Sequence, residues 1–171
     1  MIRTQVERSL LMSELSMKHL SESDLPFLYS LLTDSHVAEK LHWQPSSLDE
    51  LKSYYQNEWR DEDEVHFIIR WKDYKIGWLK INNLKGKDTL WISMLAILPY
   101  YSGRGLAKQA LCFAELFTIN HGKTELAIQT TIDNLSAIAL YIKSGFILEE
   151  YLEDTGYYVF KKQLLKNDEH I

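Results

Sequence analysis

The residues Leu95-Ala-Ile-Leu-Pro-Tyr-Tyr-Ser-Gly-Arg-Gly-Leu-Ala107 carry an apolar strand into a proline, through two glycines and into a segment with helical spacing. A junction of this kind is suited to anions. Glycine lets the backbone approach a ligand with no Cβ in the way. The first N–H groups of a helix lack intrahelical partners, and the helix dipole puts partial positive charge at the same end. Arg104 and Lys108 add cations fit for phosphate groups. The pattern is not a dinucleotide fingerprint, because G-x-G-x-x-G fails at Lys108, and it is not a P-loop, because no G-K-[ST] follows. On the residues alone, a second reading stays open in which the glycines merely turn the chain.

A second constellation runs from Asn134 to Phe146. Tyr141 follows Asn134 by about two helical turns, so both side chains can face one cleft. A phenol stays protonated at neutral pH and can donate to a departing anion. The competing reading is that Tyr141 packs beside Leu140 and Phe146 while Asn134 only caps a helix. Cys112 lies in an apolar helical stretch and reads as a small core residue rather than a nucleophile. Six histidines without a close ligand pair, and no second cysteine, predict no metal site.

A length of 171 residues with 46% hydrophobic and 25% charged side chains predicts one domain spanning 1–171, its core at about residues 14–165. Net charge is −5 and the pI about 5.7, so the general attraction for nucleic-acid backbones is absent and no such partner is expected. The single cysteine excludes an internal disulfide and suits a reducing compartment. Arg3, Glu7, Arg8 and Glu14 interrupt the start, so it does not read as a signal peptide. The longest apolar stretch, Leu90 to Ile97, is far below the roughly 20 residues that span a bilayer. A cytoplasmic protein without a membrane partner is expected.

The elements that must position these residues follow from periodicity. Glu14 to Leu20 reads as a strand, and Ser21 with Asp24 opens a helix carrying Leu25, Leu28, Leu31 and Leu32. Ser47 with Glu50 forms a capping box for a second helix to about Trp59. Val65–Trp71, Lys75–Asn82 and Thr89–Leu98 read as an antiparallel meander. A helix over Leu106–His121 places Leu106, Ala110, Phe113, Ala114 and Phe117 on one face. A strand at Glu125–Thr130, a helix from Asn134 to Ser144 ended by Gly145, and strands at Phe146–Leu152 and Tyr157–Leu164 complete the chain. The order predicts an α/β (α+β) fold: a mixed, mainly antiparallel central sheet of about seven strands, with a parallel βαβ unit in its middle and helices on both faces.

Taken together, the two constellations resemble the motifs of the GNAT acetyltransferase superfamily. Ser102-Gly103-Arg104-Gly105-Leu106-Ala107 matches its pyrophosphate loop [QR]-x-x-G-x-[GA], with Ser102 where the family has Gln or Arg. Asn134 to Phe146 matches N-x-x-A-x-x-x-Y-x-x-x-G-F at every marked position. Leu25 to Tyr29, Val37 to Leu41 and Ile76-Gly77-Trp78 look most like the branch containing ribosomal-protein N-terminal acetyltransferases. The resemblance implies acetyl-CoA as co-substrate, held by Leu95, Ile97, Ser102, Gly103, Arg104, Gly105, Leu106, Ala107, Lys108 and Asn134, with Tyr141 as general acid. It implies an amine-bearing acceptor, either a small molecule or a polypeptide N-terminus. A non-catalytic acyl-CoA sensor with the same fold, and a nucleotide-binding domain using the same turn, remain alternatives.

Leu90 to Leu98 contains no acid, so no general base stands out. Freeing a lysine-type amine at pH 7 costs roughly 4.6 kcal/mol, whereas an α-amine costs roughly 1, which favours an acceptor of low pKa. Glu39, His42, His66 and Glu153 are the candidate bases, each with a solvated or structural reading beside it. The acidic run Asp61 to Glu64 reads as a solvated loop, and Trp43 as a wall of the acceptor site. A homodimer through exposed strands near the C-terminus is compatible with the pattern.

Overall fold

A computed structural model of the chain describes residues 14–41, 43–59 and 61–164. Strands β1 (Leu15–His19), β2 (Glu64–Trp71), β3 (Tyr74–Asn82), β4 (Thr89–Ile97), β5 (Glu125–Thr131), β6 (Ile147–Leu152) and β7 (Tyr157–Gln163) form one sheet in the order β1-β2-β3-β4-β5-β7-β6. The pairings are antiparallel except for β4 with β5, the expected βαβ unit. Phe67 to Ile69 and Ile76 to Leu79 are unbroken buried runs, as a sheet covered on both faces requires. β6 closes one edge and leaves Ile147, Leu148 and Tyr151 exposed.

Neighbouring residues on β3 show the two layers. Trp78 packs with α1 (Leu25–Leu32), α2 (Ser35–Ala38) and α3 (Leu48–Asn57), through Leu25, Leu28, Leu31, Val37 and Leu51. Leu79 and Ile81 pack on the other face with α4 (Leu106–Asn120) and α5 (Leu135–Lys143), through Leu111, Ala114 and Tyr141. The caps follow local chemistry. Ser21 N–H donates to the Asp24 carboxylate at 2.9 Å, and one 3-10 turn over Glu22–Asp24 leads into α1. Glu50 N–H donates to Ser47 Oγ at 3.1 Å as a capping box predicts, but the Glu50 carboxylate reaches the N–H and hydroxyl of Ser46, both at 2.6 Å, one residue earlier than expected. α2 was not expected. It is too short to show a period, and Asp34 caps it by accepting from His36 N–H at 3.0 Å and Val37 N–H at 3.2 Å.

The buried face of α4 is rotated from the predicted one. Leu111 and Thr118 are buried, while Phe113 and Phe117 are half-buried and meet Phe67 edge-on at 5.1 and 5.5 Å. The same face buries Glu115, whose carboxylate accepts from Lys162 Nζ at 2.7 Å. Lys162 also donates to the Ser144 carbonyl at 2.8 Å, so one lysine on β7 ties α4 to the end of α5.

A buried polar group on β2 gives stability a pH dependence. The rings of His66, Trp59 and Trp78 form one cluster, with His66 4.6 Å from Trp59 and 5.6 Å from Trp78, and its Nε2 lies 2.9 Å from Glu64, which also binds Lys80 Nζ at 2.7 Å. Burial lowers the His66 pKa despite the opposing pull of Glu64. Burial pushes the Glu64 carboxyl upward, but hydrogen bonds from Lys80 and His66 outweigh it and hold it low. Both groups bind protons more readily in the unfolded chain. Their stability contribution is therefore complete above the ordinary histidine value of 6.5, declines as pH falls through it, and declines again below 4.5 as pH falls toward the lowered Glu64 value. The expected result is a melting temperature that drops between about pH 7.5 and pH 5, with His66→Phe flattening the upper part of the drop; an unchanged profile in that variant would assign the effect elsewhere.

Candidate active site

The sheet opens between its two parallel strands. β4 and β5 pair only from Thr89 with Glu125 to Ile92 with Ile128. Beyond that, β4 continues against β3 alone and β5 against β7 alone. A cause lies in the β3–β4 register, where Ile81 faces Ile92 but Lys80 faces Met94, leaving Ser93 as an extra residue on β4. Such a bulge bends a strand and raises its local twist. A cleft of about 830 Å³ fills the gap. Leu98 N–H donates to the Ile76 carbonyl on β3 at 2.8 Å. Because successive strand N–H groups alternate sides, those of Leu95 and Ile97 point away from β3, toward the cleft that both residues line.

The glycine turn forms one end of this cleft. A 3-10 turn over Pro99–Tyr101 leads to Gly103 at φ 75° and Gly105 at φ 74°, left-handed conformations that side chains adopt at a cost. A Cβ at either position meets nothing within 4 Å, so the surface there is open. The first backbone bond of α4 is Gln109 N–H to the Gly105 carbonyl at 3.1 Å, and the N–H groups of Leu106, Ala107 and Lys108 precede it at the helix mouth. Ser102, Gly103, Gly105, Leu106, Ala107 and Lys108 all line the cleft. Arg104 does not. Its guanidinium sits 5.4, 5.5 and 5.9 Å from the rings of Tyr100, Trp71 and Tyr101, a cation–π arrangement that braces the turn from outside.

α5 supplies the facing wall. Tyr141 lines the cleft and is only 7% exposed, its ring 5.6 Å from Phe160 and 6.1 Å from Phe146. The packing and cleft readings of this residue thus both hold. Burial pushes its phenol pKa well above the ordinary value, so it enters the cleft as a neutral O–H donor. Asn134 also lines the cleft, but the expected side-chain cap does not form. At φ −80° and ψ 64° it lacks the extended backbone that aims a capping oxygen inward, and its Oδ1 accepts from Ser136 Oγ at 3.1 Å instead. The end of α5 is held by Phe146 N–H to the Tyr141 carbonyl and Gly145 N–H to the Ile142 carbonyl, both at 3.0 Å, the paired bonds of a Schellman motif.

The candidate bases lie elsewhere. Glu39 and Glu153 are exposed and His66 is buried under Trp59; none lines the cleft, and His42 lies outside the described residues. The acidic run is a structural turn in which Asp63 accepts from Lys85 N–H at 2.7 Å and Glu64 holds Lys80. Cys112 is half-buried and absent from the cleft lining, and burial raises its thiol pKa, which suits a packed residue. Trp43 does line the cleft, edge-on to Tyr54 at 5.0 Å. Other lining residues escaped sequence reading, among them His36, Lys40, Lys143 and Tyr157. The i, i+4 spacing of His36 and Lys40 after the Asp34 cap was the available signal for two of them. Among the described residues no helix is long and apolar enough to cross a membrane, and no cluster of three metal-ligating side chains occurs.

A sheet wedged open between parallel strands, with an open glycine turn at one lip and a buried tyrosine at the other, is the frame of an acetyl-CoA-dependent N-acetyltransferase. The chain belongs to the acetyltransferase (GNAT) family, whose sequence profile matches residues 25–146. The fold is shared with spermidine N-acetyltransferase from Vibrio cholerae solved with CoA and spermine, at 18% identity and a TM-score of 0.80, covering 88% of this chain and 95% of that one. A single-residue variant of the Vibrio enzyme aligns at 20% identity and a TM-score of 0.76, covering 88% and 94%. A domain from Methanocaldococcus jannaschii aligns at 17% identity and a TM-score of 0.76, covering 88% and 98%. No curated protein sequence matches. The neighbours that carry an activity in their names are spermidine N-acetyltransferases, so the expected ribosomal-protein branch is not supported. The residues that suggested it have packing roles: Leu25, Leu28 and Val37 fill the core around Trp78.

The residues present fit acetyl-CoA. The open glycine surface and the helix mouth suit its pyrophosphate, and the outward N–H groups of Leu95 and Ile97 suit the amide-bearing arm that carries the sulfur.

Proposed function

We propose that this protein transfers the acetyl group of acetyl-CoA directly to a primary amine, on a small molecule or a polypeptide N-terminus, with both substrates bound together. The observation that carries the reading is Tyr141, a neutral phenol buried in the wall of a cleft whose other wall is an unpaired strand edge. The bound co-substrate supplies an activated thioester. Amine nitrogen bonds to the acetyl carbon, the carbon–sulfur bond breaks, Tyr141 gives its proton to sulfur, and the amine proton leaves to water; solvent then reprotonates Tyr141. The N–H groups of Leu95 and Ile97 face the place where charge builds on the acetyl oxygen. No described lining residue is a carboxylate, which favours an amine that is already substantially neutral at working pH.

The direct test is release of free thiol from acetyl-CoA over a panel of primary amines. Turnover on at least one amine is expected; tight CoA binding with no turnover on any would make this a sensor instead. Comparable thermal protection by ATP or NAD would point to a nucleotide-binding role.

Ser102 adds a graded prediction. It lines the cleft where a longer polar side chain is the family habit, so Ser102→Arg should add a charge-assisted contact and tighten CoA binding by about three- to tenfold. Calorimetric titration with CoA reads this, and an unchanged affinity would place the side chain off the phosphate path.

A further inference from the structure

We infer that the acceptor is an amine whose carrier also bears an anionic group, which Lys40 receives at the α2 end of the cleft; this rests on the transferase reading above. The cleft passes through the sheet, and its two ends differ. The glycine turn, α4 and α5 lie on one face, where Lys108 and Lys143 border the phosphate-binding side. His36, Val37, Lys40, Leu41 and Trp43 line the cleft from the opposite face, where α2 rests on Ala96 and Trp78. An acceptor entering from that face passes α2 before it reaches the strand edge at Leu95 and Ile97.

The chemistry of that entrance is apolar and cationic. Val37 is buried beneath it, Leu41, Trp43 and Met94 pack around it, and Lys40 stands beside them with His36, whose Nδ1 is 4.0 Å from the Asp34 carboxylate; Asp34 itself does not line the cleft, so Lys40 carries the charge there. Lys40 is exposed and makes no ion pair among the described residues; other lysines share that, but of those only Lys108 and Lys143 also line the cleft, both from the α4 and α5 side. The described lining holds Lys40, Lys108 and Lys143 and no Asp or Glu. A polyamine therefore meets like charge at this entrance, although the fold is that of spermidine enzymes. At about 5 Å, one unit charge beside another changes binding by roughly fourfold in bulk water and by more than tenfold at a partly buried site. A carboxylate near the amine gains that factor, and each extra ammonium group loses it.

The test measures kcat/KM for a matched set: spermidine, a neutral alkylamine, an ω-amino carboxylate of similar length, and tripeptides with either an acidic or a lysine residue in second position. The expected result is at least a tenfold preference for the carboxylate-bearing acceptors, with the ω-amino carboxylate and the acidic peptide distinguishing a free metabolite from a polypeptide end. Lys40→Glu should reverse the order through KM, raising it for the carboxylate-bearing acceptors and lowering it for spermidine. Spermidine turned over as well as the anionic acceptors, or an order unchanged in Lys40→Glu, overturns the inference while leaving the transferase reading in place. Intact CoA binding with no turnover on any acceptor overturns both.

Discussion

Replacing Tyr141 with Phe should lower the transfer rate at saturating substrates by about a hundredfold while leaving the fold and CoA affinity nearly intact. General acid catalysis contributes roughly 10² to 10⁴ in rate, and the low end applies here because a thiolate, from a thiol of pKa about 8.5, leaves more readily than an alkoxide. Stability should hold because the Phe ring keeps the contacts with Phe146 and Phe160 and removes a single oxygen at the cleft wall. The discriminating measurement is kcat together with CoA affinity. A fall in kcat alone assigns the hydroxyl to the chemical step, a rise in Kd alone makes it a binding contact, and an unchanged kcat removes Tyr141 from the mechanism.

The second large effect concerns the glycine turn. Gly105→Val should weaken CoA binding at least tenfold, because a β-branched residue resists φ 74° and a shift of the backbone turns the N–H groups at the helix mouth away from the phosphates. A left-handed residue costs roughly 1–2 kcal/mol, so folding stability also falls. Gly122→Val separates the two effects. Gly122 follows α4 at φ 71°, a Cβ there also meets nothing within 4 Å, and neither it nor its chain neighbours line the cleft, so the conformational cost is similar away from the site. Equal loss of stability in both variants, with CoA protection against heating lost only at position 105, is the expected outcome. Equal CoA protection in both would leave the turn without a role in binding.

Local signals in the chain foretold most elements, and the exceptions have physical reasons. The buried runs Phe67–Ile69 and Ile76–Leu79 and the leucines of α1 follow period and burial directly. α2 escaped because four residues show no period, yet it and the turn that follows it bring His36 and Lys40 to the cleft. The buried face of α4 turned because Glu115 is satisfied by Lys162, a partner 47 residues away that no local pattern announces. Arg104 and His66 show the same limit at the site. Sequence placed Arg104 beside the phosphates by adjacency to two glycines, and three rings from two elements draw it away. His66 qualified as a base by residue type, and stacking against Trp59 and Trp78 holds it away from the cleft.

By itself the sequence determined the strand, turn and helix order, the glycines that a left-handed turn demands, and the tyrosine that faces them from the next helix. These depend on conformational preferences within a few residues, which the chain carries wherever it folds. Only the tertiary structure decided that β4 and β5 part after Ile92, that Leu95 and Ile97 face the gap, and that α2 brings Lys40 to its far side. Those facts depend on register and on which faces are covered, and register is settled by partners distant in the chain.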